Sequence, residues 1–153
     1  MNYSITLLPA GTILAAGLGL LLLFPAASPA ADASALQGVW RGARFSAGKG
    51  EDPDKGVALE LIIKGSHING QRLPEGKPIA EGDLKLSADG KCMDATGSTG
   101  GFKGKAFPGI FKIEGDTLFW CVTTSGNAED RPADFVATPS KKSYLIIVKR
   151  QKS

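Results

Sequence analysis

The most distinctive polar grouping in this sequence is Arg131-Pro132-Ala133-Asp134. An arginine held just before a rigid proline, with an acid three residues on, has the parts of an internal ion pair that fixes a loop. It also has the parts of an anion receptor at the mouth of a cavity. Trp120 and Phe111, with Ile113, form an apolar stripe. Such a stripe can line a site for an apolar ligand, and it is equally what any β core requires.

Catalytic chemistry lacks its parts. His67 is the single histidine, too few for a zinc site or a His-based triad, and it follows a turn as a surface residue would. Gly97-Ser98-Thr99-Gly100-Gly101-Phe102-Lys103-Gly104-Lys105 has the look of a phosphate loop. Thr99, however, stands where the first glycine must be, Ala106 replaces the magnesium-binding hydroxyl, and no helix is expected to follow. In Glu51-Asp52-Pro53-Asp54-Lys55-Gly56, Pro53 and Lys55 fall where calcium ligands belong. A hydrolase needs paired carboxylates or an activated nucleophile, and the chain offers scattered acids such as Asp94 and Asp134. No catalytic residue, metal site or cofactor is therefore assigned.

Cys92 and Cys121 are the two cysteines. In an oxidising compartment they permit a disulfide closing a loop of about 30 residues, worth ~3 kcal/mol. They fit equally well as two small buried apolar side chains, because strand order decides whether their Cβ atoms can meet.

The compartment is read from the start of the chain. Ile5 to Ala27 carries no charge, and Ile13 to Phe24 is an unbroken apolar run rich in leucine, the length of a signal-peptide core. Ser28-Pro29-Ala30 puts small residues before a cut at Ala31. Residues 1–30 are thus expected to be a signal peptide, 31–35 a spacer and 36–151 one domain, exported to the periplasm or the extracellular space. The alternative is a retained N-terminal anchor, since the apolar stretch reaches about 20 residues if Pro9 only kinks it. That anchor is the one route to a membrane.

With 18 Lys+Arg against 15 Asp+Glu the net charge is +3. The charges alternate in sign, which gives no nucleic-acid surface. The 20 glycines and 9 prolines punctuate short apolar runs, as the turns of an all-β domain do. Strands are expected at Leu36 to Phe45, Val57 to Lys64, His67 to Leu73, around Leu84 and Leu86, Lys91 to Thr96, Gly109 to Glu114, Thr117 to Thr123 and Ser143 to Arg150. Pro74, Gly76 and Pro78 interrupt the ladder after the third. The loop Ser46 to Gly56 is expected to be exposed. Gly115-Asp116 makes a tight hairpin whose register pairs Ile113 with Leu118 and Phe111 with Trp120, stacking four large apolar side chains on one face. About eight strands in meander order can close into an antiparallel up-and-down barrel or a strongly bent sheet.

Three segments carry a family likeness: Leu36-Gln37-Gly38-Val39-Trp40, then Pro108 to Leu118 through Cys121, then Arg131-Pro132-Ala133-Asp134-Phe135 with the terminal Lys149-Arg150. In these the chain resembles a family of uncharacterised exported or modular domains found mainly in planctomycete bacteria. Lys91-Cys92-Met93-Asp94 stands where that family usually has a Pro-containing turn before an Asp. The resemblance implies a lipocalin-like β-barrel and carries no established activity. Gly38-Val39-Trp40 also looks like the Gly-x-Trp start of lipocalin-type barrels, whose Trp closes one end beneath a late arginine. Arg150 is the matching residue, so Trp40 and Arg150 are expected to touch.

The functional expectation is noncatalytic binding of a small apolar or amphipathic ligand. The rival is an envelope protein-interaction or structural module with a filled core, acting through loops such as Ser46 to Gly56 and Ser125 to Asp130. An interior bounded by eight strands can be filled by side chains or hold one small ligand.

Overall fold

The computed structural model describes residues 33–46 and 56–152. The expected leader and most of the Ser46 to Gly56 loop lie outside them. Among the described residues a single helical turn, α1 (Ala33–Leu36), precedes nine strands. They are β1 (Gly38–Ser46), β2 (Val57–Lys64), β3 (His67–Arg72), β4 (Lys77–Leu86), β5 (Met93–Gly97), β6 (Ala106–Phe107), β7 (Gly109–Glu114), β8 (Thr117–Thr123) and β9 (Ser143–Arg150). The sheet order is β6-β5-β4-β3-β2-β1-β9-β8-β7, and every pairing is antiparallel.

Because β1 lies between β2 and β9, and β5 comes back beside β7 through a Cys92–Ile110 bridge, the sheet curls into a nearly closed up-and-down barrel. Closure removes most of the exposed strand edges that would template association. The domain is all-β, as the turn punctuation implies.

Period-two alternation sorts the side chains. Trp40, Leu59, Leu61, Ile63, Met93, Phe111, Leu118, Trp120, Ile146 and Val148 face inward and form the main core, with Leu36 of α1 packed onto them. β9 is apolar on both faces. Its outer residues Leu145 and Ile147 join Phe45, Cys121 and Ile110 in a second cluster, covered by Phe135 and Ala137 from the long segment before β9.

The β7–β8 hairpin has the expected register, Ile113 opposite Leu118 and Phe111 opposite Trp120. Gly115 turns it with φ +59°, while Asp116 keeps a negative φ; a positive φ at the first central residue alone is the pattern of a type II′ turn. The Asp116 carbonyl then accepts the Arg150 N–H at 2.8 Å, tying the turn to the end of β9.

Three expectations on strand limits are corrected. Leu36 lies in α1, so the first strand begins at Gly38. Pro78 does not interrupt the ladder: it sits within β4 opposite Gln71, where the register shifts and skips Ile79, so the missing N–H falls at a bulge. The ninth strand is β6, a two-residue piece pairing with Ala95 and Thr96 that is too short to show a period.

Candidate functional site

One end of the barrel is plugged. Trp40, fully buried, donates its indole N–H to the Leu36 carbonyl at 2.8 Å. Arg150 stacks over the Trp40 ring at 4.2 Å from its centroid. It also donates to the Gln37 carbonyl at 2.6 Å and to the Ala35 carbonyl. The expected Trp40–Arg150 contact is therefore present, and its work is to seal the barrel and hold α1 across it.

The other end holds a cavity among the described residues. Four residues along β1 from Trp40, about 13 Å at strand rise, Arg44 occupies the same inward face. It lies in a lateral row with Trp120 and Ile146. Here the interior holds a cavity of about 200 Å³, whose walls include Leu59, Leu61, Ile68, Ile79, Trp120 and Ile146. Phe102 and Phe107 also face it, edge to face with centroids 5.7 Å apart. Phe102 is one of the two large apolar residues exposed among the described residues. It is set by a short 3-10 turn, Gly100–Phe102, in the glycine-rich connection, which runs on into β6 and not into a helix.

Polar groups at the cavity are few. The Arg44 guanidinium lies over the Tyr144 ring at 4.6 Å, and its Nε is buried with no hydrogen-bond partner among the described residues. Glu81 is the one carboxylate residue on the wall among the described residues, and its side chain is bonded to His67 Nε2 at 2.8 Å.

Of the three residues expected at a ligand site, only Trp120 lies on the cavity wall. Its indole N–H is already committed to the Met93 carbonyl at 3.0 Å, so it offers the cavity an apolar face. Phe111 is buried within the packed core. Arg131 is in an ion pair away from the cavity, and its partner is Asp94 instead of the neighbouring Asp134. The pair is two-pronged, with Nη2 to Oδ2 at 2.8 Å and Nη1 to Oδ1. Nη1 also reaches the Gly109 carbonyl at 2.7 Å, and the Gly109 N–H donates to Asp94 Oδ1 at 3.1 Å. Burial would raise the Asp94 carboxyl, but the bonds from Arg131 and Gly109 and the Arg131 charge outweigh it, and its pKa lies below the ordinary value. Together these groups clasp β5 to β7 where the ladder thins to a bridge.

The cysteines are free thiols. Ile110 stands directly between them, opposite Cys92 on one side and Cys121 on the other. Two strand spacings put their Cα atoms about 10 Å apart, beyond the reach of a disulfide. Cys121 is buried under the segment carrying Phe135. Burial, with the negative charge of Asp134, pushes its thiol up to about 11.

Arg44 and Tyr144 were not picked out by motif. The signal for Arg44 was its even spacing from Trp40, which places both on one strand face. Among the described residues no group of three or more His, Cys, Asp or Glu is arranged to hold a metal ion. No helix among them is long and apolar enough to cross a membrane. Comparison of the chain with protein-family models, curated proteins and solved structures found no match.

Proposed function

We propose that this protein is an exported, noncatalytic β-barrel that binds a small apolar or amphipathic ligand. The observation that carries the reading is the cavity of about 200 Å³ at the end of the barrel opposite the Trp40 plug. A void of ~150 Å³ lined by apolar side chains stays dry and takes up a molecule the size of benzene, and small-ligand sites are concave and mostly apolar with a few placed polar groups. Here the apolar walls come largely from inward residues of β2, β3, β4, β8 and β9, and the polar residues among the described lining are Arg44, Glu81, Thr96, Thr124 and Tyr144. Export to the periplasm or beyond is supported by the apolar run Ile13 to Phe24 followed by Ser28-Pro29-Ala30. The likeness to planctomycete-type exported domains with a lipocalin-like barrel points the same way.

The test is native mass spectrometry of the protein recovered from its own host. A stoichiometric extra mass that is lost on unfolding supports the carrier reading and identifies the cargo. A bare mass, together with no uptake of a small neutral apolar probe such as octan-1-ol, overturns it. That outcome favours the rival, a filled-core module of the envelope.

A further inference from the structure

We infer that the ligand is a monoanion, a carboxylate on an apolar body of roughly six to ten heavy atoms, and that Arg44 receives its head group. This rests on the ligand-binding reading and names the chemistry of that site.

Four observations lead to it. First, Arg44 is the one cationic residue on the cavity wall among the described residues, and otherwise that wall is largely apolar. Second, the face of its guanidinium is covered by Tyr144 at 4.6 Å. Guanidinium donors lie in the plane of the group, so stacking leaves them unused and fixes the direction in which they point. Third, its Nε is buried with no acceptor among the described residues. A buried donor is normally bonded, and one left unmet is destabilising until something accepts from it. Fourth, the carboxylate residue nearest in chemistry, Glu81, is already engaged by His67.

The charge and the volume narrow the class further. One guanidinium balances one negative charge, and its planar fork matches the two oxygens of a carboxylate. A dianionic phosphate monoester would bring a second charge to a wall that has no second cation among the described residues. A space of about 200 Å³ exceeds the ~150 Å³ that accommodates benzene and is smaller than the ~300 Å³ from which drug-sized pockets begin. A medium-chain alkanoate or a small aryl-alkanoate fits between these bounds.

The experiment is isothermal titration of the full chain at pH 7 with three probes of equal tail length: octanoate, octan-1-ol and octylammonium. Octanoate is expected to bind at least about tenfold more tightly than octan-1-ol, with octylammonium the weakest. Arg44→Gln should erase the preference for octanoate and leave octan-1-ol within about twofold, while Arg44→Lys should keep part of it. Thermal unfolding of each variant checks that the barrel is intact, and the wild-type comparison needs no variant at all. If octan-1-ol binds and octanoate does no better, or if Arg44→Gln weakens both alike, the assignment to Arg44 is overturned while the apolar site stands. If none of the three binds, the ligand-binding reading falls with it.

Discussion

Arg131 and Asp94, 37 residues apart in the chain, meet in a two-pronged ion pair across the seam of the barrel, with Gly109 held between them by a hydrogen bond in each direction. Elsewhere neighbouring strands are joined by ladders, broken once by the register shift between β3 and β4. Between β5 and β7 the backbone supplies one bridge and a bond from the Phe111 N–H to the Lys91 carbonyl at 3.0 Å. Side chains complete the closure there, with the Trp120 indole bonded to Met93 and the Arg131 clasp on the other side of the sheet.

Removing the clasp should loosen that seam. Arg131→Ala is expected to lower stability by about 1–2 kcal/mol, the value for charge-assisted bonds discounted because both side chains are partly exposed. A double-mutant cycle with Asp94→Asn in urea unfolding should show the two costs to be strongly non-additive. Asp94 has a depressed folded pKa. Its contribution is therefore fully present above the unfolded value of about 3.9 and is lost as pH falls through the folded one. Asp94→Asn should flatten the wild-type loss of Tm below pH 4, and an unchanged acid limb would show the pair contributes nothing.

Gly42 stands on β1 opposite Val148 of β9. A Cβ there would lie 2.1 Å from the Ile147 carbonyl oxygen and 2.8 Å from the Val148 Cα, both backbone atoms that cannot swing aside. Gly42→Ala should cost about 2–3 kcal/mol, as overpacking that displaces a strand does. Gly101→Ala, with open space around it, serves as the neutral control. Equal melting temperatures for the two variants would mean that β9 moves freely and that the barrel is softer than its ladders suggest.

The parts of this fold that were legible in the sequence are those where one local choice excludes the others. The register of the β7–β8 hairpin puts Phe111, Ile113, Leu118 and Trp120 on a common face, and a one-residue slip of either strand would turn that strand's two to the opposite face. The meeting of Trp40 with Arg150 was readable from a known way of closing such barrels. The clasp was not, because the partner of Arg131 comes from a strand that reaches it only after the sheet has curled round, and the acid nearest in sequence was the wrong one. Pro78 misled because a bulge accommodates it, and bulges leave no mark in a two-residue period. Arg44 lay in plain view on the face of Trp40, but nothing local says that the barrel is filled at one end and hollow at the other.

The two thiols should behave as separate and unequal groups. With Ile110 between them, intact-mass measurement after air oxidation should show no two-hydrogen deficit. Cys121 is buried and its thiol is raised to about 11, so little thiolate is present at neutral pH and alkylation should wait for unfolding. Cys92 is half-buried and should label first in the native state. Rapid native labelling of Cys121 would mean that the Phe135 segment lifts from the sheet.

His67 links β3 to β4 through Glu81 at 2.8 Å and Asp83 at 3.4 Å. The Glu81 hydrogen bond first, and then the Asp83 one, favour the charged ring against a small opposing effect of burial, so its pKa is raised in the folded protein. The stabilisation is therefore fully present below the unfolded value of about 6.5 and disappears as pH rises through the folded value. Because the ring is 43% exposed, solvent screens the pair and the effect on Tm should be small. As the chain has one histidine, its ring protons give an unambiguous NMR titration. The midpoint should lie above 6.5 in the native protein and return toward it in Glu81→Gln. His67→Gln should narrow its deficit against wild type as pH rises from 6 to 9. Since Glu81 also borders the cavity, Glu81→Gln should leave octanoate binding within about twofold if its charge is already spent on His67. A large gain in affinity would show instead that Glu81 repels the head group that Arg44 receives.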